Sequence, residues 1–224
     1  MIRKVLAKTI EKLEEALKQE GLSNLGSFQI NPDDTILQGF ETLLLIGPDE
    51  PHFWEKFKNS YEYKHIKKSP LDEWSKHKIG KLAKRFGAKP FLPFQENPRL
   101  PFYSWALRTR RVWESPVRLL VHDIRGLMVS FRGALAFKQD FKNDMLKSLK
   151  SSRPCNNCTI PCVSACPVQA LTREKYDVKK CQQYVQKLGN DSCRQGCLVR
   201  RSCPVGDFLR PQEQSSFHMQ AFVR

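Results

Sequence analysis

The sequence predicts an α+β domain of about 150 residues followed by a small cysteine-bearing domain. Three observations carry this. Segments of helical period are interspersed with short apolar, β-favouring runs over the first two thirds of the chain. All eight cysteines, from Cys155 to Cys203, lie in the last third, with none among the first 154 residues. Between the two parts, Ser151, Ser152, Arg153 and Pro154 form a boundary, so the domains are expected at 1–153 and 154–210, with a tail at 211–224.

The elements follow in order. Ile2–Glu20 places Val5, Leu6, Ile10, Leu13 and Leu17 at three- and four-residue steps before Gly21, an amphipathic helix with a glycine stop. Gln38–Ile46 reads as a core strand ending at Gly47 and Pro48, followed by a short helix around Glu50–Asn59. Over Pro70–Phe86, Leu71, Trp74, Ile79, Leu82, Ala83 and Phe86 form one apolar helical face and lysines the other, with Gly87 as terminator. Lys89–Phe94 is a short extended piece and Phe102–Arg110 a helix. Segment 115–138 alternates partially and predicts two short strands joined around Asp123–Gly126; a helix from about Gln139 to Leu149 leads to the boundary.

Composition narrows the class. The chain has 224 residues, 40% of them apolar, enough for a sizeable core and too little for a multidomain machine. Mean hydropathy is −0.51 and no run of 18 apolar residues occurs, so no membrane span is expected. Charges interleave with apolar residues from Met1 to Lys8, which leaves no secretory signal and places the protein in the cytoplasm. The net charge of +15 is concentrated: residues 64–111 hold 13 basic and 3 acidic groups, whereas residues 1–63 hold 7 and 11. Such a field attracts a polyanion such as tRNA or an acidic protein partner; a solvated lysine-rich face is the alternative.

The cysteines specify chemistry. Cys155, Cys158, Cys162 and Cys166 run as C-x2-C-x3-C-x3-C-P; Cys181 stands apart; Cys193, Cys197 and Cys203 run as C-x3-C-x5-C-P. A disulfide framework needs an oxidising compartment, at odds with the absence of a signal. Zinc sites usually pair two C-x2-C knuckles or add histidine, and this stretch has one knuckle and no histidine. Iron–sulfur ligation remains, favoured by the Cys-Pro pairs that close both runs, as in two-cluster ferredoxins. A four-iron cubane needs four converging thiolates; a loop supplies three, and in those ferredoxins the Cys-Pro cysteine ligates the other cluster. Applied to this chain, that scheme implies one [4Fe-4S] cluster on Cys155, Cys158, Cys162 and Cys203, and a second on Cys166, Cys181, Cys193 and Cys197. Arg194, Arg200, Arg201 and Lys179 are available to offset the negative charge of the thiolate-bound cores. The spacing departs from the usual C-x2-C-x2-C-x3-C-P, most of all in the second set.

This order of domains, with one isolated cysteine between two cluster loops, resembles epoxyqueuosine reductases and corrinoid reductive dehalogenases. The stretch from Val121 to Gly133 is also similar to the His-Pro-x-x-Gly-x-Trp-x-Ala-x-Arg-Gly stretch of the cobalamin-processing chaperones, matching at His122, Gly126, Arg132 and Gly133, with Asp123 and Met128 in place of proline and tryptophan. The resemblance implies a nitroreductase-like N-terminal domain binding cobalamin, or less readily the flavin FMN, before a two-[4Fe-4S] ferredoxin-like domain. It implies that His122 and Arg132 line the cofactor pocket and that Phe94, Phe102, Trp105 and Trp113 wall it. Two functions stand side by side: a redox enzyme whose clusters feed a corrinoid or flavin site, and an electron carrier whose basic N-terminal domain docks a redox partner protein.

Overall fold

In the computed structural model of the protein, residues 2–141, 152–187, 191–206 and 210–223 are described. The described strands are β1 Leu22–Gln29, β2 Thr42–Pro48, β3 Lys89–Phe91, β4 Val112–Glu114, β5 Leu120–His122 and β6 Gly133–Phe137. The described helices are α1 Ile2–Gln19, α2 Phe53–Lys58, α3 Tyr61–His65, α4 Pro70–Phe86, α5 Phe102–Arg108, α6 Val178–Gln186, α7 Asp191–Arg194, α8 Leu198–Arg201 and α9 Gln212–Phe222. The fold is therefore mixed α and β, and none of the described helices is long and apolar enough to cross a membrane. The chain divides into two compact units: Met1–Arg110 with Ser130–Lys150, and Arg111–Val129 with Ser151–Arg224.

The first unit is built on an antiparallel sheet of order β1-β2-β6-β3. Its two inner strands, Thr42–Pro48 and Gly133–Phe137, are buried at every position, so their composition is apolar or small throughout, without the alternation of a half-exposed strand. Gly47 continues β2 where the sequence suggested its end: a Cβ there would meet Leu25 Cδ1 at 2.2 Å and the Ser130 carbonyl at 2.4 Å, so close backbone packing demands glycine. Leu13, Ala16 and Leu17 of α1 are buried, and so are Leu71, Trp74, Ile79, Leu82 and Ala83 of α4. Helix α4 has the bounds its periodicity predicted and closes on Gly87 in the left-handed region, φ 63°. The predicted helix around Glu50–Asn59 is α2, and an unpredicted second short helix, α3, follows after Ser60, whose hydroxyl accepts from the Tyr63 amide as an N-cap.

The expected pair of strands in 115–138 is not a hairpin. β5 pairs backward with β4, and β6 belongs to the four-stranded sheet of the first unit. Only a tight turn follows β5, closed by reciprocal amide–carbonyl bonds between His122 and Gly126 at 3.0 Å. The β4–β5 segment consequently lies in the same unit as the cysteines, so the expected boundary at 153/154 differs from the observed division. The tail at 211–224 carries α9, anchored where the Gln182 and Gln186 side chains donate to the Phe222 and Val223 carbonyls, each at 2.9 Å. From residue 142 onward, the helix expected to Leu149 falls outside the described residues, and Gln139–Phe141 are not helical.

Candidate functional site

Two cavities in the second unit are each lined by four cysteines. The first is bounded by Cys155, Cys158, Cys162 and Cys203. The second is bounded by Cys166, Cys181, Cys193 and Cys197. Each Cys-Pro cysteine thus faces the cavity formed by the other run. Prolines open the two short turns Pro154–Asn157 and Pro161–Val163, which present Cys155 and Cys162 to the first cavity. Cys181 rides on α6, whose first turn is capped by the Asp177 carboxylate accepting from the Lys180 amide at 2.9 Å.

Both sites are walled by apolar groups and share one apolar body. Val117, Val121, Leu127, Leu171 and Val199 form its core with Cys162 and Cys203, and Cys155, Cys166, Cys197 and Tyr176 pack against it. Met219 of α9 lines the second cavity. Each site also directs a backbone amide at sulfur: Ile160 to Cys158 at 3.3 Å, Ala170 to Cys166 at 3.1 Å. Beside these bonds stand Ile160 and Gln169, both at φ 51°, a conformation disfavoured for a non-glycine residue and found where surrounding structure enforces it.

The thiols are hard to ionise one by one. Burial pushes the Cys155, Cys162, Cys181 and Cys193 thiols up, and the charges of neighbouring cysteines add to it. At Cys155 the Arg153 guanidinium gives the largest opposition, at Cys181 the Tyr176 hydroxyl, and at Cys193 the Leu198 amide. The sulfurs line a space instead of meeting at a point, and among the described residues no group of three His, Cys, Asp or Glu is set to hold a metal ion. All eight cysteines are free thiols.

Two of the cations expected around the sites donate to backbone carbonyls. Arg194 donates to the Val185 and Gln186 carbonyls at the end of α6, each at 2.8 Å, and Arg200 donates to the Leu127 carbonyl.

His122 and Arg132 fall in different compact units. His122 is fully buried in the turn after β5, its Nδ1 2.8 Å from Asp123 Oδ1 and 3.2 and 3.3 Å from the Ile124 and Arg125 amides. Arg132 pairs with Asp72 at 3.4 Å and donates to the Phe131 carbonyl at 3.1 Å. Phe102 and Trp105 are buried core residues with ring centres 5.1 Å apart, whereas Trp113 packs on the apolar body of the cysteine unit. Phe94 is half-buried.

What sequence reasoning missed is the wall of the first cavity, Val121 and Leu127, contributed by the β4–β5 segment and the turn after it. Gly126 was read as a turn residue and as a match to the cobalamin-processing chaperones, but not as a neighbour of the cysteines, whereas its turn meets the chain next to Cys203. Arg111 clamps this segment through a bidentate bond to Asp123 at 2.9 and 3.0 Å. Burial works against ionisation of Asp123, but His122 and Arg111 overcome it and hold the carboxyl well below the usual range. A lowered folded value means the contribution is complete above the unfolded pKa of about 3.9 and fades as acid is added. Asp123→Asn should therefore cost about 1.5–3 kcal/mol at neutral pH, read by denaturant unfolding, with the gap to wild type narrowing below about pH 4.

Compared with known proteins, the chain matches no family model and no curated sequence.

Proposed function

We propose that this protein is a one-electron carrier holding two [4Fe-4S] clusters, one in each four-cysteine cavity, and that its second unit is ferredoxin-like in ligand order. The observation that carries the reading is the sorting of eight cysteines into two complete sets of four, each set completed by the Cys-Pro cysteine of the other run. When bound, such a cluster takes up and releases single electrons. The chain does the rest: thiolates hold the irons, the Ile160 and Ala170 amides donate to sulfur, and the shared apolar body keeps water from both sites. The basic surplus of residues 64–111 attracts an acidic redox partner.

The corrinoid or flavin reductase reading, with a nitroreductase-like first unit, rests on the resemblance alone. The residues it assigns are engaged elsewhere, His122 in its turn and Arg132 with Asp72. One experiment separates the two: anaerobic purification with iron, sulfide and zinc analysis, then visible spectra before and after adding cobalamin or FMN. The carrier reading expects iron near eight per chain and no response to either cofactor, where "near eight" is about four irons for each of two cubanes. A spectral shift with cobalamin or FMN would overturn it in favour of the reductase, and zinc in place of iron would sink both.

A further inference from the structure

Resting on the dicluster reading, we propose that an acidic one-electron donor protein docks on the surface formed by the turn at 172–175 and the first turn of α6, and delivers its electron to the site of Cys166, Cys181, Cys193 and Cys197. Charge distinguishes the two sites. From Cys155 to Cys166 no charged residue occurs, so the loop around the first site carries no cation for an acidic protein. Beside the second site, Arg173, Lys175, Lys179 and Lys180 are all exposed within eight residues of chain. Arg118 joins them from a distant segment: it is exposed, and its Nε donates to the Glu174 carbonyl at 3.3 Å. These five cations outnumber the two carboxylates of the same stretch, Glu174 and Asp177.

The surface also has an apolar centre. Val178 is 43% exposed at the start of α6, three residues before Cys181, hence on the same helix face and about 4.5 Å from it along the axis. The adjoining turn is firmly held: Leu171 and Tyr176 pair as a bridge across its base, and the Thr172 hydroxyl accepts from the Glu174 and Lys175 amides, each at 3.2 Å. Leu171 lines the second cavity, so the base of this turn is part of that site's wall. An exposed apolar residue beside several cations suits a small transient interface, in which apolar contact seats the partner and charge guides its approach. Ile124, the other exposed large apolar side chain described in this unit, stands beside Asp123, whose charge is met by Arg111 and His122. The step is a single electron transfer: the partner's reduced centre is oxidised by one electron and the second cluster is reduced by one, with no bond made or broken.

The test follows electron transfer from photoreduced flavodoxin, an acidic one-electron protein, to the anaerobically reconstituted full chain by stopped flow, with iron counted in every sample. Lys179→Glu combined with Lys180→Glu should lower the second-order rate constant about tenfold at low ionic strength, the gap closing as salt is raised. Both positions lie in the first turn of α6, where acidic residues are favoured, so fold and iron content should be kept. Arg173→Glu with Lys175→Glu, outside the helix, should have the same effect and repeats the test independently of α6. Lys84→Glu with Arg85→Glu, an equal change of charge on exposed residues of α4, should lower the rate by less than about threefold, since the basic first unit attracts the partner without seating it. The proposal is overturned if neither pair beside Val178 slows transfer, if the α4 variant is slower than both, or if wild-type protein carries its iron yet takes no electron from flavodoxin. Wild-type protein without iron would refute the dicluster reading itself.

Discussion

Cys166→Ala should empty the cavity built mainly by the second cysteine run while leaving its own run's cluster in place. Iron should fall from about eight to about four per chain, and the paramagnetic signal of one reduced centre should vanish. The reason is geometric: Cys166 faces Cys181, Cys193 and Cys197, not its sequence neighbours Cys155, Cys158 and Cys162. Because ligation contributes to folding, α6, α7 and α9 around that cavity should lose protection in hydrogen exchange before the β4–β5 segment does. If Cys166→Ala instead emptied the site of Cys155, Cys158 and Cys162, the interlocked arrangement would be wrong. Retention of eight irons would mean that Cys166 is no ligand.

Gly126→Ala should damage the other cavity without touching a cysteine. A Cβ at this position would sit 1.8 Å from the Val205 carbonyl oxygen and 2.9 Å from Cys203 Sγ, and the residue adopts φ 52°. Alanine in that conformation costs about 1–2 kcal/mol before any clash is relieved. The obstructing atom is backbone, so relief means moving the segment that carries Cys203. Gly206 faces the Arg125 backbone in the same close approach: a Cβ there would lie 2.7 Å from the Arg125 carbonyl carbon, so neither strand of chain can yield easily. We expect loss of iron from the first site, and a melting temperature lower by about 4 °C or more. Gly87→Ala, at a helix end with nothing within 4 Å of the added atom, is the comparison: it carries the backbone strain without the collision and should keep its iron. Full iron occupancy in Gly126→Ala would show that the contact with Cys203 has no bearing on ligation.

Much of this was legible because periodicity and spacing are local signals. Leu71, Trp74, Ile79 and Leu82 mark one face of α4, and Gly87 supplies the left-handed stop, so the helix could be bounded from the chain alone. The cysteines line two cavities in the same two sets that the ferredoxin ligand order implied from the Cys-Pro pairs.

Other features lay in pairings between distant segments, which no local pattern encodes. β1 was unrecognised because Leu22–Gln29 includes a bulge at Asn24–Gly26, where the Asn24 side chain accepts from the Gly26 amide at 2.8 Å and interrupts the alternation. Strands β5 and β6 were read as partners since they are close in sequence, but backbone pairing sends one to β4 and the other to β2 and β3. The helical tail was unassigned because its docking contacts, Gln182 and Gln186 to the end of α9, lie about forty residues away in the chain.

By itself, then, the sequence determined the mixed α and β class, the helix faces and the two runs of cysteines, since each follows from residue type and spacing along a single stretch. Only the tertiary structure decided that the β4–β5 segment belongs to the same unit as the cysteines, that α9 supplies Met219 to the second cavity, and that His122 is sealed in a turn while Arg132 pairs with Asp72. Those outcomes depend on which buried donors find acceptors and which backbones can approach closely, and such choices are made only when the whole chain packs.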